Sequence, residues 1–201
     1  TCMIGFQRRF DPTFAALKKR LAAGEIGTPE MLVVTSRDPG APPIPYLKSS
    51  GGICKDMLIH DFDVFRWILG DEAETVHANA SCLVDPAIAE AGDVDSTAVT
   101  IRTKRGRLCQ INTSRRAAYG YDQRFEVLGS GGMLQAGNHA PTEVVASTAT
   151  AVARDLPEHF FLERYRAAHR GRSLWIHGIS PHWMLGGWNA VIGNSGTYKM
   201  P

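Results

Sequence analysis

The chain has 201 residues, of which 44% are hydrophobic and 21% charged, and its formal net charge is +2. That suits one large or two small globular domains with a real core. The near-balance of acids and bases leaves no electrostatic case for nucleic acid or an anionic membrane as the main partner, and no apolar run reaches transmembrane length.

The opening stretch TCMIGFQRRFDP has neither an apolar core nor a small-residue cleavage site, so it is not read as a signal peptide. Thr1 stands where an initiator Met would, which reads as a piece of a longer chain. Cys2, Cys54, Cys82 and Cys109 are scattered, with no C-x-x-C pair. Neither a zinc knuckle nor a disulfide framework is expected, and the reading is of reduced thiols in a cytoplasmic protein.

FDPTFAALKKRLAAGEIG predicts a helix capped by Asp11, with Pro12 in its first position, Phe14, Leu17 and Leu21 on the buried face and Gly24 at its end. The β-branched run at residues 30–38 predicts a strand. The next stretch, PGAPPIPYLKSS, holds four prolines and predicts a surface loop rather than a helix or central strand. It reads either as a binding loop or as a plain connector.

Residues 51–70, GGICKDMLIHDFDVFRWILG, predict a helix. Leu58, Phe62, Phe65 and Leu69 fall on one side as a core face. Asp56, His60, Asp63 and Trp67 fall together opposite. One reading of that stripe is a solvated face. The other is an acid–base site, in which a carboxylate one turn away orients the imidazole and raises its pKa. The Gly51–Gly52 pair would let backbone approach a ligand closely. A metal site is a competing reading, although one helix rarely supplies enough ligands.

Short alternating runs follow at 74–84, 96–104, 107–116, 123–130 and 132–138, separated by turn signals. They predict consecutive antiparallel strands in a meander, with Val99 and Ile101 facing the helices. Helices followed by hairpins argue for an α+β fold: an open, mainly antiparallel sheet with helices on one face. PEHFFLERYRAAHRG starts as an amphipathic helix. From Arg172 onward no period is sustained, so the expected organisation is a domain over residues 1–171 and a tail of uncertain structure over 172–201.

The segment GGICKDMLIHDFD resembles the G-G-x-x-x-D-x-x-x-H-x-x-D motif in the C-terminal domain of the Gfo/Idh/MocA oxidoreductases. GFQRRFDPTFAALKKRLAAGEIG, SRDP, VDPAIAEAGDVDSTAVTI and YGYDQRFEVLGSGGMLQAGN resemble the inositol 2-dehydrogenase branch. The resemblance runs from about Ile4 to Arg170. It implies an enzyme in which a Rossmann domain binds NAD or NADP and a second, α+β domain closes the substrate site. Homo-oligomers would form through the open sheet face. This chain resembles the second domain alone. It has no strand followed by G-x-G-x-x-G, and the family's catalytic Lys belongs upstream of Thr1.

The resemblance implies His60 as acid/base and Asp56 as its orienting partner, with no metal. Arg8, Asp63 and Tyr121 would meet the hydroxyls of a polyol or sugar. A surface or N-cap charge is the competing reading for Arg8, and a half-buried strand aromatic for Tyr121. The tail departs from the family, where the helix would continue and a final helix would return over the sheet. Without its nucleotide domain the chain reads alternatively as a non-catalytic sugar-binding or oligomerisation module.

Overall fold

The computed structural model of the chain describes residues 6–158. The expected tail at 172–201, the boundary before it and most of the helix expected from Pro157 lie outside the described residues.

Asp11 caps helix α1 (Pro12–Ala22), its carboxylate accepting from the N–H groups of Thr13 and Phe14 at 2.9 and 3.1 Å. Phe14, Leu17 and Leu21 are buried, as the spacing predicts. Strand β1 (Pro29–Arg37) follows.

The proline-rich stretch holds a helix the sequence reading excluded, α2 (Ile44–Ser50). Proline breaks a helix only where a backbone donor is needed. Here Pro43 is the N-cap and Pro45 lies in the first turn, where the N–H groups have no partner within the helix. After Gly51 and Gly52 a widened π turn (Cys54–Leu58) leads into helix α3 (Ile59–Leu69), which Gly70 closes in the left-handed conformation at φ +59°.

The remaining elements are β2 (Ala73–Ser81), α4 (Pro86–Glu90), β3 (Ser96–Thr103), β4 (Leu108–Ser114), β5 (Asp122–Gly129), β6 (Gly132–Ala136) and a small hairpin, β7 (Val145–Ser147) with β8 (Val152–Arg154). The sequence reading contained neither α4 nor this hairpin. The main sheet has the order β2-β3-β4-β1-β5-β6. All neighbours are antiparallel except β1 and β4. The expected meander is therefore interrupted: β1 inserts between β4 and β5. A strand distant in sequence took the central place because it is apolar on its buried side, where Leu32 and Val34 are fully buried.

One sheet face carries Val34, Val99, Ile101, Ile111, Phe125 and Val127, all buried against the helices. Val99 and Ile101 thus point as predicted. On the other face Met31 lies beside Leu108 and Leu128, and Leu128 beside Met133. Leu108, Leu128 and Met133 are 39%, 42% and 48% exposed and form an apolar strip on that face.

Helix α3 differs from the predicted wheel. Asp61, Val64, Phe65, Ile68 and Leu69 form the most buried side, while Phe62 and Trp67 are only partly buried against the core. Asp63 is 6% exposed rather than solvated. The cause is tertiary. The helix contacts β1, and also a short 3-10 turn (Gln7–Phe10).

Candidate functional site

The 3-10 turn brings two adjacent arginines to α3. Arg8 is 4% exposed, so it is no surface charge. Its guanidinium donates to the Asp61 carboxylate, and at 3.2 Å to Ser36 Oγ on β1. Burial works against its charge, but Asp61, Tyr121 and Asp38 together raise its pKa above the ordinary value. Arg9 grips Asp63 with both arms of its fork, Nε donating to Oδ2 at 2.8 Å and Nη2 to Oδ1 at 2.5 Å. Adjacent residues of a tight turn thus reach Asp61 and Asp63 on one helix.

Asp56, on the π turn, is held from two other directions. The Tyr46 hydroxyl of α2 donates to its Oδ1 at 2.6 Å, and Arg115 Nη1, just past β4, donates to its Oδ2 at 3.0 Å. The expectation that Gly51–Gly52 admits a ligand is corrected here. Gly52 has φ +78°, and a Cβ on it would lie 2.8 Å from Asp93 Oδ1. That same oxygen accepts the N–H of Ile53 at 3.0 Å. The close approach is made by the chain's own carboxylate, which occupies the helix N-terminus.

His60 lies between these groups, half-buried, its ring meeting Phe6 edge-on at 6.3 Å between centroids. Its Nδ1 is buried and has no hydrogen-bond partner among the described residues. Burial and the Arg8 charge push its pKa down to about 4, against the upward pull of Asp56 and Asp63. The expected upward shift is therefore reversed. Asp56 acts on the imidazole through space while its two oxygens face Tyr46 and Arg115. A neutral imidazole that is not locked into one tautomer can take a proton from an incoming hydroxyl.

The structure brings Arg8, Asp56, His60 and Asp63 into one electrostatic cluster, with Tyr121 at its edge, 8% exposed and beside Arg8. It adds Arg9, Tyr46, Asp61 and Arg115, which the sequence reading missed. The RR dipeptide and the DFD tripeptide were the available signals, since paired charges of opposite sign at both places invite a match. Among the described residues no group of three His, Cys, Asp or Glu side chains could hold a metal ion. A cavity of about 510 Å³, lined by Tyr119, Asp122, Arg124 and Arg154 among others, shares none of these residues.

Asp38, half-buried at the end of β1, completes the cluster. Burial lifts its pKa to about 6; Arg8 and Arg115 oppose this, and Asp56 and Asp61 add to it. Between the ordinary 3.8 and this value the folded chain holds a proton that the unfolded chain has released. Its stabilising contribution is full below pH 4 and is lost as pH rises through 6. Asp38→Asn is expected to stabilise the fold at pH 7 by about 1–3 kcal/mol and to change little at pH 4. Urea melts at both pH values check this; equal shifts at both would refute it.

Residues 14–135 match the model of the GFO/IDH/MocA C-terminal domain. An inositol 2-dehydrogenase of Rhizobium meliloti is 49% identical over 167 residues, which are 83% of this chain and 51% of that protein. The crystal structure of a myo-inositol dehydrogenase from Corynebacterium glutamicum superposes with a TM-score of 0.78 at 47% identity, covering 84% of this chain and 50% of that one. A scyllo-inositol dehydrogenase from Lactobacillus casei, solved with bound NAD(H) and scyllo-inositol, matches at 30% identity and a TM-score of 0.72, covering 83% of this chain and 50% of that one. The chain spans about half the length of the curated relatives it matches.

Proposed function

Because the chain belongs to the GFO/IDH/MocA C-terminal domain family, we propose that it is the substrate-binding and catalytic half of a cytoplasmic NAD(P)-dependent dehydrogenase. The substrate is a secondary hydroxyl of myo-inositol or a related sugar, and the product is the ketone. One observation carries the reading. A neutral, half-buried histidine with no hydrogen bond to the described residues sits among anchored carboxylates and an arginine.

The described residues do not fit a dinucleotide. No strand among them leads through a G-x-G-x-x-G turn into a helix, and the N-terminus leading into α3 is taken by Asp93. We assign the cofactor to a preceding nucleotide domain. This chain contributes the proton half of alcohol oxidation. His60 accepts the hydroxyl proton, and the nearby charges of Asp56 and Asp63 favour the imidazolium that results. Arg8, Asp63 and Tyr121 are assigned to the neighbouring hydroxyls, where a guanidinium donates and a carboxylate accepts. The apolar strip of Leu108, Leu128 and Met133 on the open sheet face supports association of like subunits.

The test is the protein translated from the whole reading frame that contains this chain. Inositol-dependent reduction of NAD⁺ or NADP⁺ is expected there. The 201-residue chain alone is expected to show no saturable micromolar binding of NADH by fluorescence. Failure of the whole protein to oxidise any inositol or related sugar would overturn the reading in favour of a sugar-binding or assembly module.

A further inference from the structure

We propose that Tyr46 and Arg115 are positioning residues that hold the Asp56 carboxylate in one orientation beside His60, with Asp93 steadying Arg115. The inference rests on the reading of Asp56 and His60 as the catalytic pair.

Two segments, α2 and the end of β4, converge on the Asp56 carboxylate of the π turn, and Asp93 from the loop after α4 lies behind Arg115. Each oxygen of Asp56 has its own partner, Tyr46 Oη at 2.6 Å on Oδ1 and Arg115 Nη1 at 3.0 Å on Oδ2. Rotating the carboxylate would break both bonds at once, and charge-assisted bonds of this kind are directional. Asp56 needs such restraint because it sits on a widened turn. There the i→i+4 ladder is interrupted and the backbone alone defines its direction less well.

Arg115 is suited to the task by its own immobility. Its side chain is 1% exposed. Its backbone N–H donates to the Asp95 carbonyl at 2.9 Å. Its second terminal nitrogen lies 3.9 Å from Asp93 Oδ2, while Asp93 Oδ1 is fixed on the N–H of Ile53. Asp93 alone could have served as the counter-ion. The closer contact is nevertheless to Asp56, whose side chain is 18% exposed.

Tyr46 shows the same preference. The residue is 40% exposed, yet its hydroxyl is not left to solvent. It turns to Asp56 instead. Burial and that bond push its pKa up to about 12, so it stays a hydrogen-bond donor throughout the neutral range and does not itself exchange protons.

Tyr46→Phe removes one hydroxyl and keeps the ring. In the whole enzyme it is expected to lower kcat about 10-fold and to change KM for the polyol less than about 3-fold, with an unchanged melting temperature. In an Asp56→Asn background the same change is expected to have no further effect, because Tyr46 acts through Asp56. Arg115→Lys, which keeps the charge but loses the fork, should fall on the same pattern. Equal losses in both backgrounds, or no loss in either, would overturn the proposal. Should the whole protein prove not to be a dehydrogenase, the positioning claim is read separately. A crystal structure of the Tyr46→Phe chain should show Asp56 displaced from its present orientation. An unmoved Asp56 would overturn the part given to Tyr46.

Discussion

Replacing His60 by alanine in the whole enzyme is expected to lower kcat by about 10²–10⁴-fold, the usual worth of a general acid–base group. The imidazole is held neutral by burial and by Arg8, with a pKa of about 4. Its proton-accepting form is therefore fully populated at neutral pH, and the loss falls on the chemical step rather than on binding. KM for the polyol is expected to move less than kcat, because the hydroxyl-binding groups are anchored independently of His60. Asp63 is fixed by Arg9, and Arg8 by Asp61. The variant should also fold, since His60 makes no hydrogen bond to the described residues that its removal would orphan. In acid the alanine chain should be the more tolerant one. Between pH 6.5 and about 4 the unfolded histidine binds a proton that the folded one refuses, so wild-type stability falls as pH drops through that window. Steady-state kinetics and urea melts at pH 7 and 5 check both halves. Near-wild-type turnover would make His60 a structural residue.

Asp61→Ala is expected to destabilise the domain by about 3–5 kcal/mol, the cost of removing one partner of a buried ion pair. The Asp61 side chain is 0% exposed and that of Arg8 5%. With Asp61 gone, Arg8 cannot relieve itself by losing its proton, since guanidinium stays charged at any working pH. Ser36 accepts a hydrogen bond from it without bringing charge, and the remaining pull of Asp38 is weaker than that of Asp61. The converse change, Arg8→Met, has an escape. The buried carboxyl can take up a proton, so this variant should be less harmed in mild acid and lose stability as pH rises. A pH series of denaturant melts separates the two. Parallel curves for both variants would show that the pair does not carry its charge as described. Combining Arg8→Met with Asp61→Leu should recover most of the loss, because a well-packed apolar pair often replaces a buried ion pair without penalty.

The local elements were largely legible in the sequence. Asp11, Pro12 and the Phe14–Leu17–Leu21 spacing define α1 because capping and amphipathic period are properties of neighbouring residues. Alternation in β3 placed Val99 and Ile101 on the buried face for the same reason. His60, Asp56 and Asp63 stand out together in the sequence because one helical segment carries them within two turns, while the roles proposed for them come from the family resemblance. What failed was non-local. No local signal says that β1 enters the sheet between β4 and β5, since strand pairing is chosen by burial over the whole chain.

The partners of each site residue were also hidden. Arg8 and Asp61 are 53 positions apart, and Arg115 and Asp56 are 59 apart, so no periodicity links them. Nor could the direction of the His60 shift be read beforehand. The sequence shows two nearby carboxylates, which favour the charged ring. Only the folded packing supplies the burial and the Arg8 charge that outweigh them. The sequence alone thus determined which residue types stand on the helix, and the tertiary structure decided which charges meet and how dry the site is. The reason is physical: capping and period act within a few residues, whereas desolvation and Coulomb interaction depend on distances that exist only after the chain has closed.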